Sequence, residues 1–109
     1  MYAMVVRFED GPQDLEDGIS HVQEEVIPAA ESTPGVAGFW LVDRGTGERL
    51  SVMVFEDESR AEAVFGAVGE RRAADPDRNR PSPVGSKKYD VYGLAGITSF
   101  PTEGSTHGG

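Results

Sequence analysis

The sequence has no cysteine among its 109 residues. Disulfide bonds, thiolate metal sites and a cysteine nucleophile are therefore excluded. It also lacks a long apolar run, since no uninterrupted stretch approaches the ~20 residues that a membrane-spanning helix needs. The N-terminal residues MYAMVVRF carry no basic region of the kind that opens a signal peptide. We therefore expect no membrane partner and a cytoplasmic location.

Positive charge is scarce, because ten Lys and Arg stand against nineteen Asp and Glu, a formal net charge of −9. A surface this acidic repels phosphate backbones, so we expect no nucleic-acid partner. The charge is also divided along the chain. Residues 9–31 hold eight acidic residues and no Lys or Arg, whereas residues 71–88 hold six basic and two acidic ones. The basic segment either attracts an anionic substrate or docks on the acidic helix of its own or a partner subunit, and we favour docking.

The chain is long enough for one modest hydrophobic core and too short for two. Hydrophobic residues make up 38% of it and charged residues 27%, as in ordinary globular domains. Residues 1–96 are predicted to form one domain. Residues 97–109, which are rich in Gly, Ser and Thr, are predicted to be a disordered C-terminal tail.

The apolar pattern predicts six secondary-structure elements. Short runs rich in β-branched and aromatic residues indicate strands, and apolar residues at steps of three and four indicate a helix. Leu15, Ile19 and Val22 form such a stripe, and Pro28 is expected to bend or end this helix. The predicted strands cover residues 2–8, 36–42, 50–55 and 87–94, one helix covers residues 12–31, and a second begins within residues 56–59.

The order strand, helix, strand, strand, helix, strand predicts a ferredoxin-like α+β fold. This βαββαβ arrangement has a four-stranded antiparallel sheet with both helices on one face. The other face would still carry bulky apolar side chains, which monomers rarely leave exposed over a large area. Pairing of two copies through these sheet faces covers them most simply, so we expect a homodimer.

Four segments of the sequence resemble a known superfamily. They are YAMVVRF, EEVIPAAESTPGVAGFWLVDR, GTGERLSVMVFEDE and KKYDVYGL, which together span residues 2 to about 94. They resemble the dimeric α/β-barrel superfamily, and within it the antibiotic-biosynthesis-monooxygenase-like branch. The resemblance implies two sheets paired into a barrel across a dimer, a pocket between sheet and helices in each subunit, and no cofactor.

The chain departs from the active branches of that superfamily in its catalytic residues. The haem-degrading members use an Asn on the first strand and a Trp and a His on the second helix, and this chain has none of the three there. The antibiotic-type oxygenases use an Asn, Trp and Arg set. Here the only Asn is Asn79, in a loop, and the only Trp is Trp40, on the second strand. No complete catalytic set can be carried over.

His21 and Arg7 are the candidate catalytic residues. His21 lies at the flank of the first helix's apolar stripe, with Glu25 one turn later, and would serve as a general base beside a pocket. A solvated His–Glu pair on the helix surface is the more ordinary interpretation. Arg7, the one charge within the first strand, would fix a carboxylate or phenolate of the substrate. An outward, solvated or dimer-paired Arg7 is the more ordinary alternative. No set of residues predicts a metal site.

Aromatic residues are the candidates for substrate binding. Trp40 lies between Phe39 and Leu41, so strand alternation predicts that its ring faces the opposite way, into the sheet–helix cleft or a dimer interface. In the cleft it would stack on a flat aromatic ligand and donate its indole N–H. Packing in the core or at an interface is the more common role of such a residue. The candidate substrate-binding residues are Trp40, Tyr2, Phe65 and Tyr92.

The leading functional hypothesis is a small homodimeric enzyme of the cofactor-independent monooxygenase type, acting on aromatic or quinol-type small molecules. The alternative is a non-catalytic module of the same fold that binds or senses a small molecule. RNA binding through an RRM, which shares this strand order, is rejected. The third strand, LSVMVF, has one aromatic residue and no Lys or Arg, whereas an RRM needs stacking aromatics on its sheet.

Overall fold

All four predicted strands and both helical segments are present in the computed structural model, which describes residues 1–95. The predicted tail at residues 97–109 lies outside the described residues. The elements are β1 (Tyr2–Glu9), α1 (Leu15–His21), a π-helical turn (Val22–Val26), α2 (Ile27–Glu31), β2 (Val36–Asp43), β3 (Glu48–Phe55), α3 (Glu58–Ala74) and β4 (Gly85–Asp90).

The four strands form one antiparallel sheet in the order β2-β3-β1-β4, which confirms the predicted ferredoxin-like α+β fold. Its register decides which side chains share a face. Ser51 of β3 pairs with Val6 of β1 and with Trp40 of β2, so these three side chains point to the same side. Strand alternation then places Phe39 and Leu41 on the opposite side.

The hydrophobic core lies between the sheet and the helices. Phe55 and Val36 of the sheet are fully buried against Val64 of α3 and Ala29 of α2. The face of the sheet without helices is less covered: Phe39 and Leu41 remain 46% and 47% exposed. Both helical segments therefore pack on one face, as predicted, and the other face presents apolar side chains to solvent.

The first helical segment continues past Pro28 to Glu31, where the predicted range of residues 12–31 also ends, and a π-helical turn lies immediately before α2. Proline has no N–H to donate to the carbonyl four residues earlier, and its ring crowds that carbonyl. The wider π turn relieves this crowding, and the freed carbonyl oxygen of Glu24 instead accepts a hydrogen bond from Arg71 Nη1 at 3.1 Å.

The hairpin between β2 and β3 is tighter than the sequence predicts, because the strands run on to Asp43 and begin again at Glu48. Gly47 has a φ of 82°, which permits this turn, and its carbonyl oxygen accepts the N–H of Asp10 at 3.0 Å. The strand β4 is shorter than predicted and lies exposed at the sheet edge. No helix among residues 1–95 has the length and apolar content needed to cross a membrane.

Candidate functional site

A cavity of about 290 Å³ lies between the sheet and the helices, and we call it the His21 cavity. The sheet contributes Trp40 and Met53, helix α3 contributes Phe65, and the segment before β4 contributes Pro81 and Pro83. The wall is therefore mainly apolar and aromatic. Its two ionisable members are His21 and Arg72.

His21 is held by a buried carboxylate. It ends α1, and its Nδ1 lies 3.0 Å from Oε1 of Glu25 in the π turn. The predicted His–Glu pair is therefore present, but the expectation that it is solvated was wrong, because both side chains are buried. A carboxylate that accepts from Nδ1–H fixes the imidazole with Nε2 as the free, basic nitrogen. Burial lowers the pKa of His21 below its ordinary value, although Glu25 opposes this effect, so the ring is neutral near pH 7.

Glu25 is in turn held by the basic segment. Arg80 Nε lies 3.0 Å from one carboxylate oxygen and Arg80 Nη2 lies 2.9 Å from the other, a bidentate pair. Burial alone would raise the pKa of Glu25, but the hydrogen bond from Arg80 and the charges of His21, Arg80 and Arg78 lower it overall. Glu25 is therefore an ionised group inside the protein.

The same segment makes further contacts with the acidic helix. Arg78 lies 2.7 Å from Glu24, and the side-chain amide of Asn79 donates to Asp14 and Asp17 at 3.1 and 3.0 Å. The preferred prediction, docking of the basic segment on the acidic helix, is confirmed within one subunit. Sequence reasoning did not single out Arg80 as a site residue, although the charge contrast between the two segments was the available signal.

Trp40 contributes an unused hydrogen-bond donor. Its Nε1 is buried and has no hydrogen-bond partner. The ring lies on the helix side of the sheet, in contact with the core, which is one of the two alternatives that strand alternation left open. Leaving a buried N–H unpaired costs about 1–3 kcal/mol, so Nε1 is a polar group that the packing of the described residues leaves unsatisfied.

The other sequence candidates divide into one that lines the cavity and three that do not. Phe65 lies in the wall and packs against Phe55, with ring centroids 5.9 Å apart. Tyr2 packs in the core beside Phe55 at 5.5 Å. Arg7 lies on the helix-free face and pairs with Glu9, because its position in β1 alternates away from Val6. Tyr92 follows β4 and is fully exposed.

Metal binding has no structural support in the described part of the chain. Residues 1–95 contain no group of three or more His, Asp or Glu side chains placed to hold an ion.

Asn79, the only Asn in the chain, lies in the docked loop and donates hydrogen bonds to Asp14 and Asp17. It therefore does not join His21 or Trp40 in the cavity wall.

Solved structures share this architecture at low sequence identity. An antibiotic biosynthesis monooxygenase, so designated, from Chloroflexus aurantiacus superposes with a TM-score of 0.66 at 16% identity, covering 88% of this chain and 97% of that one. A monooxygenase of Streptomyces coelicolor, in complex with the ligand nanaomycin D, superposes with a TM-score of 0.62 at 19% identity, covering 86% and 89%. No family model matches the chain, and no curated protein matches it significantly by sequence.

The comparisons establish the fold class of the chain. The chain shares its ferredoxin-like fold with these monooxygenase structures, which agrees with the fold that the sequence resemblance implied. At these identities the likeness concerns the fold alone, because one fold supports many chemistries.

Proposed function

We propose that the protein is a homodimeric, cofactor-independent monooxygenase-like enzyme that acts on an aromatic or quinol-type small molecule in the His21 cavity. The observation that carries the proposal is the buried His21–Glu25 pair, which leaves a neutral, oriented imidazole in the wall of an aromatic cavity. The known ligand complex of the Streptomyces coelicolor monooxygenase, which has the same fold, agrees with a small-molecule site.

The proposed reaction begins with proton transfer. His21 Nε2 takes the proton of a phenolic hydroxyl, and the resulting phenolate is electron-rich enough to be oxidised by O₂. One oxygen atom of O₂ enters the ring as a carbonyl and the other leaves as water, while the substrate loses its hydroxyl hydrogen and one ring hydrogen and supplies all four electrons. Trp40, which lines the cavity, stacks on the substrate. Arg72 provides the positive charge in the wall that favours the phenolate.

The test uses 1-naphthol and ¹⁸O₂. We expect 1,4-naphthoquinone that carries one ¹⁸O atom, detected by mass spectrometry. His21→Gln should lower kcat at least ~100-fold, a usual contribution of a general base, and change the dissociation constant of 1-naphthol little. Ser20→Ala is the matched control, because Ser20 precedes His21 on α1 and lies outside the wall of the His21 cavity.

The pH profile gives a second readout of the same proposal. The base works when unprotonated, and burial lowers the pKa of His21 below 6.5. We therefore expect kcat/KM to rise with pH through a pKa below 6.5 and to be level at neutral pH. Binding of 1-naphthol without turnover would favour the non-catalytic binding module. An unchanged rate in His21→Gln would refute the role of His21.

The proposed dimer rests on the helix-free face of the sheet. Phe39 and Leu41 are successive residues on the same face of β2, and both are exposed. Half-buried Val52 of β3 lies beside Phe39. We expect sedimentation equilibrium to give twice the mass of one chain. The double change Phe39→Asp and Leu41→Asp should give a monomer, because two charges would be buried in the interface. Val42→Asp, on the other face of the same strand, should remain dimeric, and a monomeric wild type would contradict the proposal.

A further inference from the structure

Arg80 connects the basic segment to the residues of the His21 cavity. Its Nε and Nη2 donate to the two carboxylate oxygens of Glu25, and both side chains are only 6% exposed. Taking a guanidinium and a carboxylate out of water is costly, and their attraction offsets this cost only when the geometry is good. The two parallel bonds between Arg80 and Glu25 supply that geometry.

One oxygen of Glu25 serves two neighbours. Oε1 lies 3.0 Å from His21 Nδ1 and 3.0 Å from Arg80 Nε, whereas Oε2 lies 2.9 Å from Arg80 Nη2. Because both bonds run to one planar guanidinium, the carboxylate cannot rotate out of that plane without breaking them. Arg80 thereby keeps Oε1 directed at Nδ1 of His21.

The third nitrogen of Arg80 is bonded to its own loop. Nη1 donates to the backbone carbonyl oxygens of Asp75 at 2.7 Å and Arg78 at 3.2 Å. The loop then continues through Pro81 and Pro83, which lie in the cavity wall. The guanidinium is therefore fixed by the loop on one side and holds Glu25 on the other.

The charges that face His21 come from three elements. The π turn supplies Glu25, helix α3 supplies Arg72, and the loop after α3 supplies Arg80. The residues that the sheet contributes to the cavity wall are uncharged. Glu25 also faces Arg78, at 3.4 Å, but the Arg78 side chain is 22% exposed. Arg80 is thus the buried cation that balances the charge of Glu25.

We propose that Arg80 is a positioning residue for the base His21, because it holds Glu25 ionised and oriented so that the proton stays on Nδ1 and Nε2 is free. This role rests on the proposed function, in which His21 is the base. Without Arg80, the Glu25–His21 pair would take up its next proton at a higher pH, since the balancing charge is lost.

The extra proton would disable the base in either of two arrangements. The pair would become an imidazolium beside a carboxylate, or a neutral imidazole whose Nδ1 accepts from a protonated carboxyl group. In both arrangements Nε2 of His21 carries a proton and cannot accept one from a substrate. The proposed role of Arg80 is therefore measurable at Nε2.

Imidazole ¹⁵N spectra recorded over a range of pH test this role without substrate. In the wild type we expect a neutral ring at pH 7, protonated at Nδ1, with Nε2 protonated only at acidic pH. In Arg80→Gln, Nε2 should be protonated at a higher pH than in the wild type. Arg80→Lys keeps the charge but not the paired donors, so its titration should lie between the two. An unchanged titration in Arg80→Gln would overturn the proposal.

The wild type provides a measurement that does not require Arg80→Gln to fold. Because Arg80 Nε and His21 Nδ1 share one carboxylate oxygen, the Nε signal of Arg80 should shift with the same midpoint as the titration of His21. An Nε signal that does not respond to this titration, or a neutral His21 ring protonated at Nε2, would refute the proposal.

Turnover of 1-naphthol separates positioning of the base from shaping of the cavity wall. At pH 7, Arg80→Gln should lose part of the ~100-fold contribution of the base to kcat, with little change in KM. The loss should become smaller as the pH rises, because deprotonation frees Nε2. A higher KM at every pH with unchanged kcat would show that Arg80 only shapes the wall, and would contradict the proposal.

Asn79→Ala is the matched control in the same loop. It removes the hydrogen bonds to Asp14 and Asp17 and leaves the contacts of Glu25 in place. We expect its spectra and kinetics to match those of the wild type, and a titration shifted as in Arg80→Gln would assign the effect to docking of the loop. Absence of turnover in the wild type would refute the proposed function alone, because the spectra report on Arg80 and His21 without a reaction.

Discussion

Glu25→Ala is expected to lower the free energy of unfolding by about 3–5 kcal/mol, the usual loss when one partner of a buried ion pair is removed. Arg80 would remain buried without its carboxylate, since both side chains are only 6% exposed in the pair. His21 would lose the group that orients its ring. Urea unfolding followed by circular dichroism measures the change. Because domains of this size are stable by about 5–15 kcal/mol, the variant should be close to unfolding at 37 °C.

Glu24→Ala is the matched control for this variant. Glu24 precedes Glu25 in the same π turn and also pairs with Arg78, at 2.7 Å, but its side chain is 61% exposed. Its removal should cost less than about 1 kcal/mol, as for other surface pairs. Equal losses in the two variants would show that burial of Glu25 does not govern the energetics of the docked segment.

The stability of the wild type at acidic pH should depend on the same Glu25–Arg80 pair. The pKa of Glu25 is lower in the folded chain than its ordinary value of 4.5, so its stabilising effect is complete above pH 4.5 and is lost as the pH falls through the folded pKa. In Glu25→Ala this part of the pH dependence should be missing. The stability of the variant should then change less than that of the wild type between pH 5 and pH 3.

Asp10→Asn is also expected to lower the free energy of unfolding by about 3–5 kcal/mol, measured by the same urea unfolding experiment. Asp10 is 1% exposed and is the carboxylate partner of the buried Arg49. The substitution keeps the shape of the side chain and removes its charge, so the guanidinium would be left as an uncompensated cation in the interior. Its anchor between β3 and the end of β1 would also weaken.

Glu9→Gln provides the comparison, because Glu9 is the neighbouring residue and its pair with Arg7 is largely exposed. Glu9→Gln should lower the free energy of unfolding by less than about 1 kcal/mol. A double variant, Asp10→Leu with Arg49→Met, should recover much of the loss by replacing the ion pair with apolar side chains. A cost of Asp10→Asn no larger than that of Glu9→Gln would mean that Arg49 is solvated or compensated elsewhere.

The fold was predictable from local patterns. The parity of residues in the strands already separated Trp40 from Phe39 and Leu41, because alternation along a strand is a property of the backbone. The π turn before Pro28 was not predictable from the sequence. The π turn and the bond from Arg71 to the carbonyl of Glu24 compensate the missing N–H, and Arg71 is 47 positions away along the chain.

The candidate site was predictable only in part. His21 and Glu25 were paired by their i,i+4 spacing, but spacing gives no information about solvent exposure. Their burial depends on Arg80, which crosses from a proline-rich loop that has no periodicity of its own. The pair Asp10–Arg49 was missed altogether, because the two residues are 39 positions apart and the pairing of β1 with β3 brings them together.

The sequence by itself determined the order of the elements, the faces of the strands and the attraction between an acidic helix and a basic segment, since these follow from periodicity and charge. The tertiary structure decided which polar groups are buried and which donors stay free. Those outcomes depend on the packing of distant segments between the sheet and the helices. His21 is oriented, and Trp40 and Arg49 keep unused N–H groups, only because of that packing.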